Sequence, residues 1–386
     1  MADNTKIEWT DATWNPITGC SVVSPGCTNC YAMRLAGTRL QHHPSRAGLT
    51  TESKAGPAWN GVVRFNEEWL TQPLRWKKPR TIFVCAHGDL FDEGVPDEWI
   101  DQVFAVMARA PHHTFQVLTK RPERMRDYLR DQMVCSRIGA QQRKIDDDTT
   151  AYTNIGIDAP FPLPNVWLGV SVEDQRRADE RIPILLETPA AIRWISAEPL
   201  LGPIDWKRWL PTVQRAERPD GRGQHIASWF YLAKCEHCTW IGSSDLCRID
   251  SLGDDSGIFC PSCDRPICGN DLPNLHWVVA GGESGAGARP MHPDWVRSIR
   301  DQCAAANVPF LFKQWGEWST AATMFHEGVN LHPDWTGATY AGPNGSILPL
   351  PSRPIGEFDV FYKTGKKASG RLLDGIEHDG YPRGKP

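Results

Sequence analysis

Six short apolar runs, at residues 81–85, 114–118, 166–170, 192–196, 277–280 and 309–312, each break off abruptly into polar residues or glycine. A strand covered on both faces reads as a continuous apolar run, whereas a half-exposed strand alternates, so these runs predict parallel strands flanked by helices. Helical patterns fall between them at 97–109, 122–133 and 293–306. The last two open on Pro122 and Pro293, a residue suited to a first turn, where its missing N–H would have no intrahelical partner. Strand, helix, strand repeated in this way predicts an α/β fold, a partial or complete (β/α) barrel, with a seventh strand just ahead of residue 20.

In such a barrel the C-terminal strand ends converge on one rim. Asp89, Lys120, Glu173, Glu198, Glu283 and Lys313, each just past an apolar run, are therefore expected to face a common pocket. One such residue alone would more often cap a helix or pair in a loop; six in register weaken that reading.

The predicted rim also carries cysteines. Cys20, Cys27 and Cys30 fall within eleven residues of a loop containing Gly19, Pro25 and Gly26. A closed structural zinc site takes four protein ligands, so three thiolates suggest a metal or cluster with its last position left for something else. A second cysteine group lies in the stretch 206–275, which breaks the strand–helix rhythm and reads as an inserted module. Cys235 with Cys238 and Cys260 with Cys263 form two CxxC pairs separated by 21 residues, the pattern of a zinc-ribbon-like site, with Cys247 and Cys268 as alternative ligands. So small a module has little core, and metal binding would supply its stability. Cys85 and Cys303 read as buried thiols, and His87 as a loop cap or a proton donor. The segment 141–164 reads as a rim loop and 358–362 as a late strand, after which 366–375 closes the domain. Trp315 and Trp318 read as core or as stacking platforms.

Composition narrows the functional classes. The start of the chain lacks the features of a secretory signal, and no apolar run reaches the length of a membrane span, so a cytoplasmic, non-membrane protein with reduced thiols is expected. A net charge of -4 gives no global attraction to nucleic acid, yet basic residues bunch at 75–80, 120–144 and 363–371. These are either solvated helix faces or a local groove for a phosphate backbone.

Several segments together resemble a known family. Trp14 to Cys20, Cys27 to Ala32, Asp89 to Phe91, Leu118 to Met125, Trp167 to Glu173, Glu198 to Ile204, Gly281 to Gly285 and Phe312 to Gly316 are similar to the bacteriophage-associated three-cysteine-motif family, which is considered related to radical S-adenosylmethionine (SAM) proteins. The resemblance implies a barrel of the radical SAM type in two parts, 1–205 and 276–386, around the 206–275 insert. It implies a [4Fe-4S] cluster on Cys20, Cys27 and Cys30, with SAM on the fourth iron, a 5'-deoxyadenosyl radical as reactive species, and an electron donor such as flavodoxin or ferredoxin. By strand order Asp89 would meet the SAM amino group, Lys120 and Arg121 its carboxylate, and Ser171 and Glu173 the ribose, leaving Glu198, Glu283 and Lys313 as catalytic candidates. Six residues separate the first two cysteines, where the common superfamily spacing has three, and Asn29 stands where an aromatic is usual.

The leading functional expectation is a radical SAM enzyme acting on nucleic acid, DNA favoured, by lesion reversal or base modification. Two alternatives differ in class. The same chemistry could act on a peptide or small metabolite, with a three-Cys-motif partner protein, or the chain could be a non-catalytic, zinc-stabilised nucleic-acid-binding protein.

Overall fold

Each apolar run of the sequence becomes a strand. The computed structural model describes residues 5–146, 157, 159–211, 213–217, 221, 224–250, 257–267, 274–326, 328, 338–349 and 359–382. Strands β1 (Ala12–Trp14), β2 (Thr81–Val84), β3 (Thr114–Thr119), β4 (Val166–Ser171), β5 (Ile192–Ala197), β6 (Trp277–Gly281) and β7 (Phe310–Gln314) lie side by side in chain order as one parallel sheet. The seventh strand, expected ahead of the cysteine loop, is β1.

The sheet curls, and Trp9 shows how far. Its ring lies 4.7 Å from Phe83 of β2, 5.2 Å from Trp194 of β5 and 6.3 Å from Trp277 of β6, while its carbonyl accepts from Gln116 Nε2 of β3 at 3.1 Å. Only a sheet bent around a common axis brings four strands to one residue. Trp167, Val279 and Leu311 complete this plug, which occupies the N-terminal half of the concave face. Further along each strand the inward positions are smaller or polar, and there the interior opens. The fold is thus a partial (β/α) barrel, floored by tryptophan.

Helices α1 (Tyr31–Gly37), α2 (Asp97–Arg109), α3 (Pro122–Arg130) with α4 (Val134–Ile145), α5 (Gln175–Glu187) and α6 (Pro293–Ala305) follow β1, β2, β3, β4 and β6. On the convex face Ile82, Phe115, Val117, Leu168 and Ile195 share one core with Ile100, Phe104, Ile182 and Ile299. The helix expected at 122–133 stops at Arg130, because Asp131 turns extended and its carboxylate accepts from Met133 N at 2.8 Å, starting a new helix. That helix, α4, runs through 141–145, which corrects the start of the expected rim loop; residues 147–156 and 158 lie outside the described residues.

After β7 the chain forms a four-stranded antiparallel sheet from Trp318–Thr320, Thr339–Ala341, Ile347–Pro349 and Asp359–Lys363, so the late strand is present. The C-terminal segment then returns to cover the barrel edge. Phe312 N donates to His378 O and Gly380 N to Phe310 O, each at 2.9 Å.

Within 206–275 the described residues form three antiparallel pairs, among them Leu232–Lys234 with Ile241–Ser243. Leu232 and Ile241 join the main core, and Lys234 pairs with Glu187 at the end of α5. No helix among the described residues is long and apolar enough to cross a membrane.

Much of the charge in two of the basic runs is paired within the fold. Arg124 pairs with Asp97, Arg126 with Asp127, Arg137 with Asp101 and Asp131, Lys144 with Glu98, Lys366 with Glu8, and Arg371 with Asp379.

Candidate functional site

Above the tryptophan floor a cavity of about 550 Å³ opens at the C-terminal strand ends, lined by Cys20, Cys27, Cys30, Asp89, Lys120, Arg121, Ser171, Glu198, Glu283 and Lys313 among others. Five of the six residues read from the sequence as one rim face this space. Glu173 is the exception and is fully buried beside it.

The cysteine loop begins where β1 ends. Gly19 pairs with Gly88 of the next strand's loop, its N–H donating to His87 O at 3.2 Å. It adopts φ +92°, and a Cβ there would lie 2.2 Å from Val62 O, so only glycine fits. The loop then makes a short turn at Pro25–Cys27 and enters α1 with Cys30 as its N-cap.

Three buried carboxylate–arginine units hold this loop. On one side Arg121, 4% exposed, bridges Asp89 at 2.9 Å and Asp92 at 2.7 Å; its Nη2 donates to Ser21 O at 3.2 Å and its Nη1 lies 3.7 Å from Cys20 Sγ. Asp92 in turn accepts from Ser21 N at 3.0 Å. In the middle Glu173 pairs with Arg181 at 3.1 Å and accepts from Gly26 N at 3.2 Å. On the far side Glu283 pairs with Arg289 at 2.6 Å and accepts from Asn29 Nδ2 at 3.0 Å, while Arg289 Nη2 donates to Pro25 O at 3.0 Å.

These contacts already engage four of the residues expected at the site. Asp89 already accepts from Phe91 N, Thr119 Oγ1, Lys120 N and Arg121, so it has no lone pair left over for a ligand's amino group. Arg121 is fully engaged and does not present a fork to a carboxylate. Glu173 lies outside the cavity wall and cannot meet a ribose. Glu283 is held by Arg289 and Asn29 as a clamp on the loop. All four position the cysteine loop.

What remains open to the lumen is a smaller set. Lys120 makes no hydrogen bond or ion pair through its ammonium among the described residues, although its charge helps to hold the Glu173 carboxyl below its usual value. Ser171 offers its hydroxyl. Glu198 Oε1 meets Lys313 Nζ at 3.0 Å, and Glu198 Oε2 accepts from Ser196 Oγ at 3.2 Å, giving a partly exposed acid–base pair at the strand ends. Burial, then Asp89, push the Cys20 thiol well above its ordinary pKa, partly offset by Arg121, so a metal binding there must displace a proton. Burial likewise raises Cys85 to about 12 and raises Cys303, as expected of core thiols. Trp315 is core, 3% exposed, with its indole N–H on Leu372 O, and Trp318 donates to Ala288 O.

The second cysteine group is tighter. Cys235, Cys238, Cys260 and Cys263 bring their sulfurs within 4.8 Å of one another, with Cys235 to Cys263 at 3.6 Å and Cys238 to Cys260 at 3.7 Å. Four thiolates about 2.3 Å from one tetrahedral ion stand about 3.8 Å apart, so the set fits a single metal. Cys247 is buried against Ser243 O and is not part of the group; Cys268 lies outside the described residues.

Sequence reasoning missed Ser21, Asp92, Asn29, Arg181 and Arg289 as loop anchors, and also Arg46, a buried guanidinium. Asn29 and Ser21 were within reach, since both flank a cysteine in the loop.

Comparison with curated proteins and with solved structures finds no match. One family model does match, over residues 4–382, and the chain belongs to that family, described as protein of unknown function (DUF5131).

Proposed function

We propose that this chain is an iron–sulfur enzyme of the radical SAM type, with Cys20, Cys27 and Cys30 as cluster ligands and the cavity as the SAM and substrate chamber. The carrying observation is that all three cysteines of one loop line a single cavity at the C-terminal mouth of a partial barrel. The donor set suits the group in kind, since three thiols leave one cluster position for a ligand. When bound, such a cluster supplies one-electron reduction of the SAM sulfonium and, through it, hydrogen abstraction from a substrate.

The chain's own residues do the rest. The three arginine–carboxylate clamps fix the cysteine loop before anything binds, which is how a site avoids reorganising during reaction. Lys120 is placed to hold a carboxylate in the lumen, and Ser171 to hold a hydroxyl. Lys313 can donate and Glu198 accept a proton at the substrate end, the two held together by their 3.0 Å contact. The Trp9, Trp194 and Trp277 floor excludes water from below. We place zinc on Cys235, Cys238, Cys260 and Cys263 as the structural metal of the insert.

Nucleic acid is the narrower reading of the substrate, and it draws on the family resemblance and the cavity, not on the paired basic runs. The test of the broader reading is anaerobic purification followed by electron paramagnetic resonance of the reduced protein. A cluster signal that changes on adding SAM and is lost in Cys27→Ala supports it; a protein that stays free of iron after reconstitution rejects it. For the narrower reading, DNA binding that weakens steeply with salt is expected, and indifference to both DNA and RNA would reject it.

A further inference from the structure

Just past β2 the chain makes a strained turn. Cys85 adopts φ +55°, the left-handed region that a residue with a Cβ disfavours, and the turn closes with Gly88 N donating to Cys85 O at 2.9 Å. The turn delivers His87 to the cavity wall. The backbone of that residue is fixed from both sides, its N–H donating to Asn15 Oδ1 at 2.9 Å and its carbonyl accepting from Gly19 N at 3.2 Å. Its ring is set edge-on to Tyr31, with centroids 5.9 Å apart. Strain of this kind persists where the surrounding structure over-determines it, and it clusters at sites that bind or react.

Neither ring nitrogen of His87 has a hydrogen-bond partner among the described residues. Nδ1 is sealed from solvent, whereas Nε2 is not and is the nitrogen open to the lumen. A proton on Nδ1 would be buried with no acceptor, so the neutral ring carries its proton on Nε2, where a ligand can supply one. Burial first, and the charge of Arg46 after it, hold the imidazole at about 4, so at pH 7 the ring meets the lumen as an uncharged donor. Beside it Tyr31 is 50% exposed and lines the same cavity. Its hydroxyl is spent on Ala86 O, which leaves the ring as a flat apolar surface next to the His87 donor.

We propose that Tyr31 and His87 form a base-binding subsite, in which a planar heterocycle lies against the Tyr31 ring and its carbonyl oxygen accepts from His87 Nε2. An uncharged donor suits an uncharged acceptor, while the ammonium groups of Lys120 and Lys313 remain for charged ones. An aromatic surface holds any base by stacking, and the donor beside it selects those that carry a carbonyl, as uracil, thymine and guanine do and adenine does not. The inference rests on the reading of the cavity as a substrate chamber and narrows it to carbonyl-bearing bases.

The experiment is NMR on the full-length protein labelled with nitrogen-15 at histidine, the His87 signals being those missing from His87→Gln. The probes are uracil, pyrimidine, which keeps the ring but has no carbonyl, and N-methylacetamide, which keeps an amide carbonyl but has no ring. At pH 7 the free protein should show a neutral His87 with its proton on Nε2. Uracil should shift that signal, and both other probes should bind about threefold or more weakly. His87→Gln, and separately Tyr31→Leu, should weaken uracil about fivefold, the net worth of one neutral hydrogen bond or a comparable stack. A proton on Nδ1, a His87 signal indifferent to uracil, or pyrimidine binding as tightly as uracil overturns the subsite. N-methylacetamide matching uracil overturns it too, because the donor would then serve a peptide-type carbonyl without a stacked ring. The wild-type readouts hold whether or not a variant folds. None of them needs iron or SAM, so an iron-free protein can still show the subsite and a working cluster cannot rescue it.

Discussion

Replacing Glu173 by alanine tests the clamp that holds the middle of the cysteine loop. The carboxylate is 0% exposed, pairs with Arg181 at 3.1 Å and accepts from Gly26 N at 3.2 Å. Removing it leaves Arg181, 6% exposed, with Ser171 O as its remaining acceptor. Stranding one partner of a buried ion pair costs about 3–5 kcal/mol, so the free energy of urea unfolding of Glu173→Ala should fall by that amount. Glu173→Ala with Arg181→Met removes both charges, and its stability should return to within about 1–2 kcal/mol of wild type, the residual being the lost hydrogen bond at Gly26. Iron retention should stay low in the double variant, because the loop is still untethered while the barrel is sound. Burial alone would raise the Glu173 carboxyl, but Lys120, Arg181, Ser24 and Gly26 together hold it below its ordinary value. Its folded pKa therefore lies below its unfolded one, near 4.3, so its stabilisation is present above that value and is lost as pH falls through the folded pKa. The acid sensitivity should be weaker in the double variant. A loss under about 1 kcal/mol in Glu173→Ala, or a double variant no more stable than the single, would refute the clamp.

Three further outcomes are expected. Gly282→Ala places a Cβ 1.8 Å from Trp315 O, a backbone atom that cannot step aside, and should cost about 3 kcal/mol or more in thermal unfolding; a change under about 1 kcal/mol would show the strand ends to be slack. Asp374 is held at about 2, chiefly by hydrogen bonds from Arg297 against some burial, with Arg300 adding to it. Its carboxyl is about one-third exposed, so the pair is worth only about 1 kcal/mol, present above the unfolded pKa near 3.9 and lost toward pH 2; Asp374→Asn should flatten stability between those values, and an unchanged curve would contradict the pairing. Cys260→Ser should remove one equivalent of zinc per chain, while a zinc content unchanged by the substitution would place the metal elsewhere.

The barrel was legible because its signal is local. A strand buried on both faces must be apolar throughout, so each run showed itself within five residues, and β2 to β7 fall where the runs do. The convergence of Lys120, Glu198, Glu283 and Lys313 on one cavity followed from strand ends alone. The partners of those ends were not legible. Asp89 finds Arg121 after 32 residues, Glu173 finds Gly26 across 147, and Glu283 finds Asn29 across 254. A carboxylate at a strand end looks the same in sequence whether it awaits a ligand or an arginine, and here burial decided for the arginine. The partners of the basic run after Lys120 were hidden for the same reason: Asp97 and Asp101, which pair with Arg124 and Arg137, lie on α2, which only the fold brings alongside. The four-cysteine group was legible because each CxxC fixes two ligands by backbone geometry, whereas Arg46 carried no pattern at all.

The central claim is tested most directly by incubating the anaerobically reconstituted protein with dithionite and SAM and measuring 5'-deoxyadenosine alongside iron and sulfide. The account predicts about four irons per chain on Cys20, Cys27 and Cys30, and 5'-deoxyadenosine released by wild type but not by Cys27→Ala. Zinc alone on the protein after reconstitution, or a full cluster that leaves SAM intact, would contradict it.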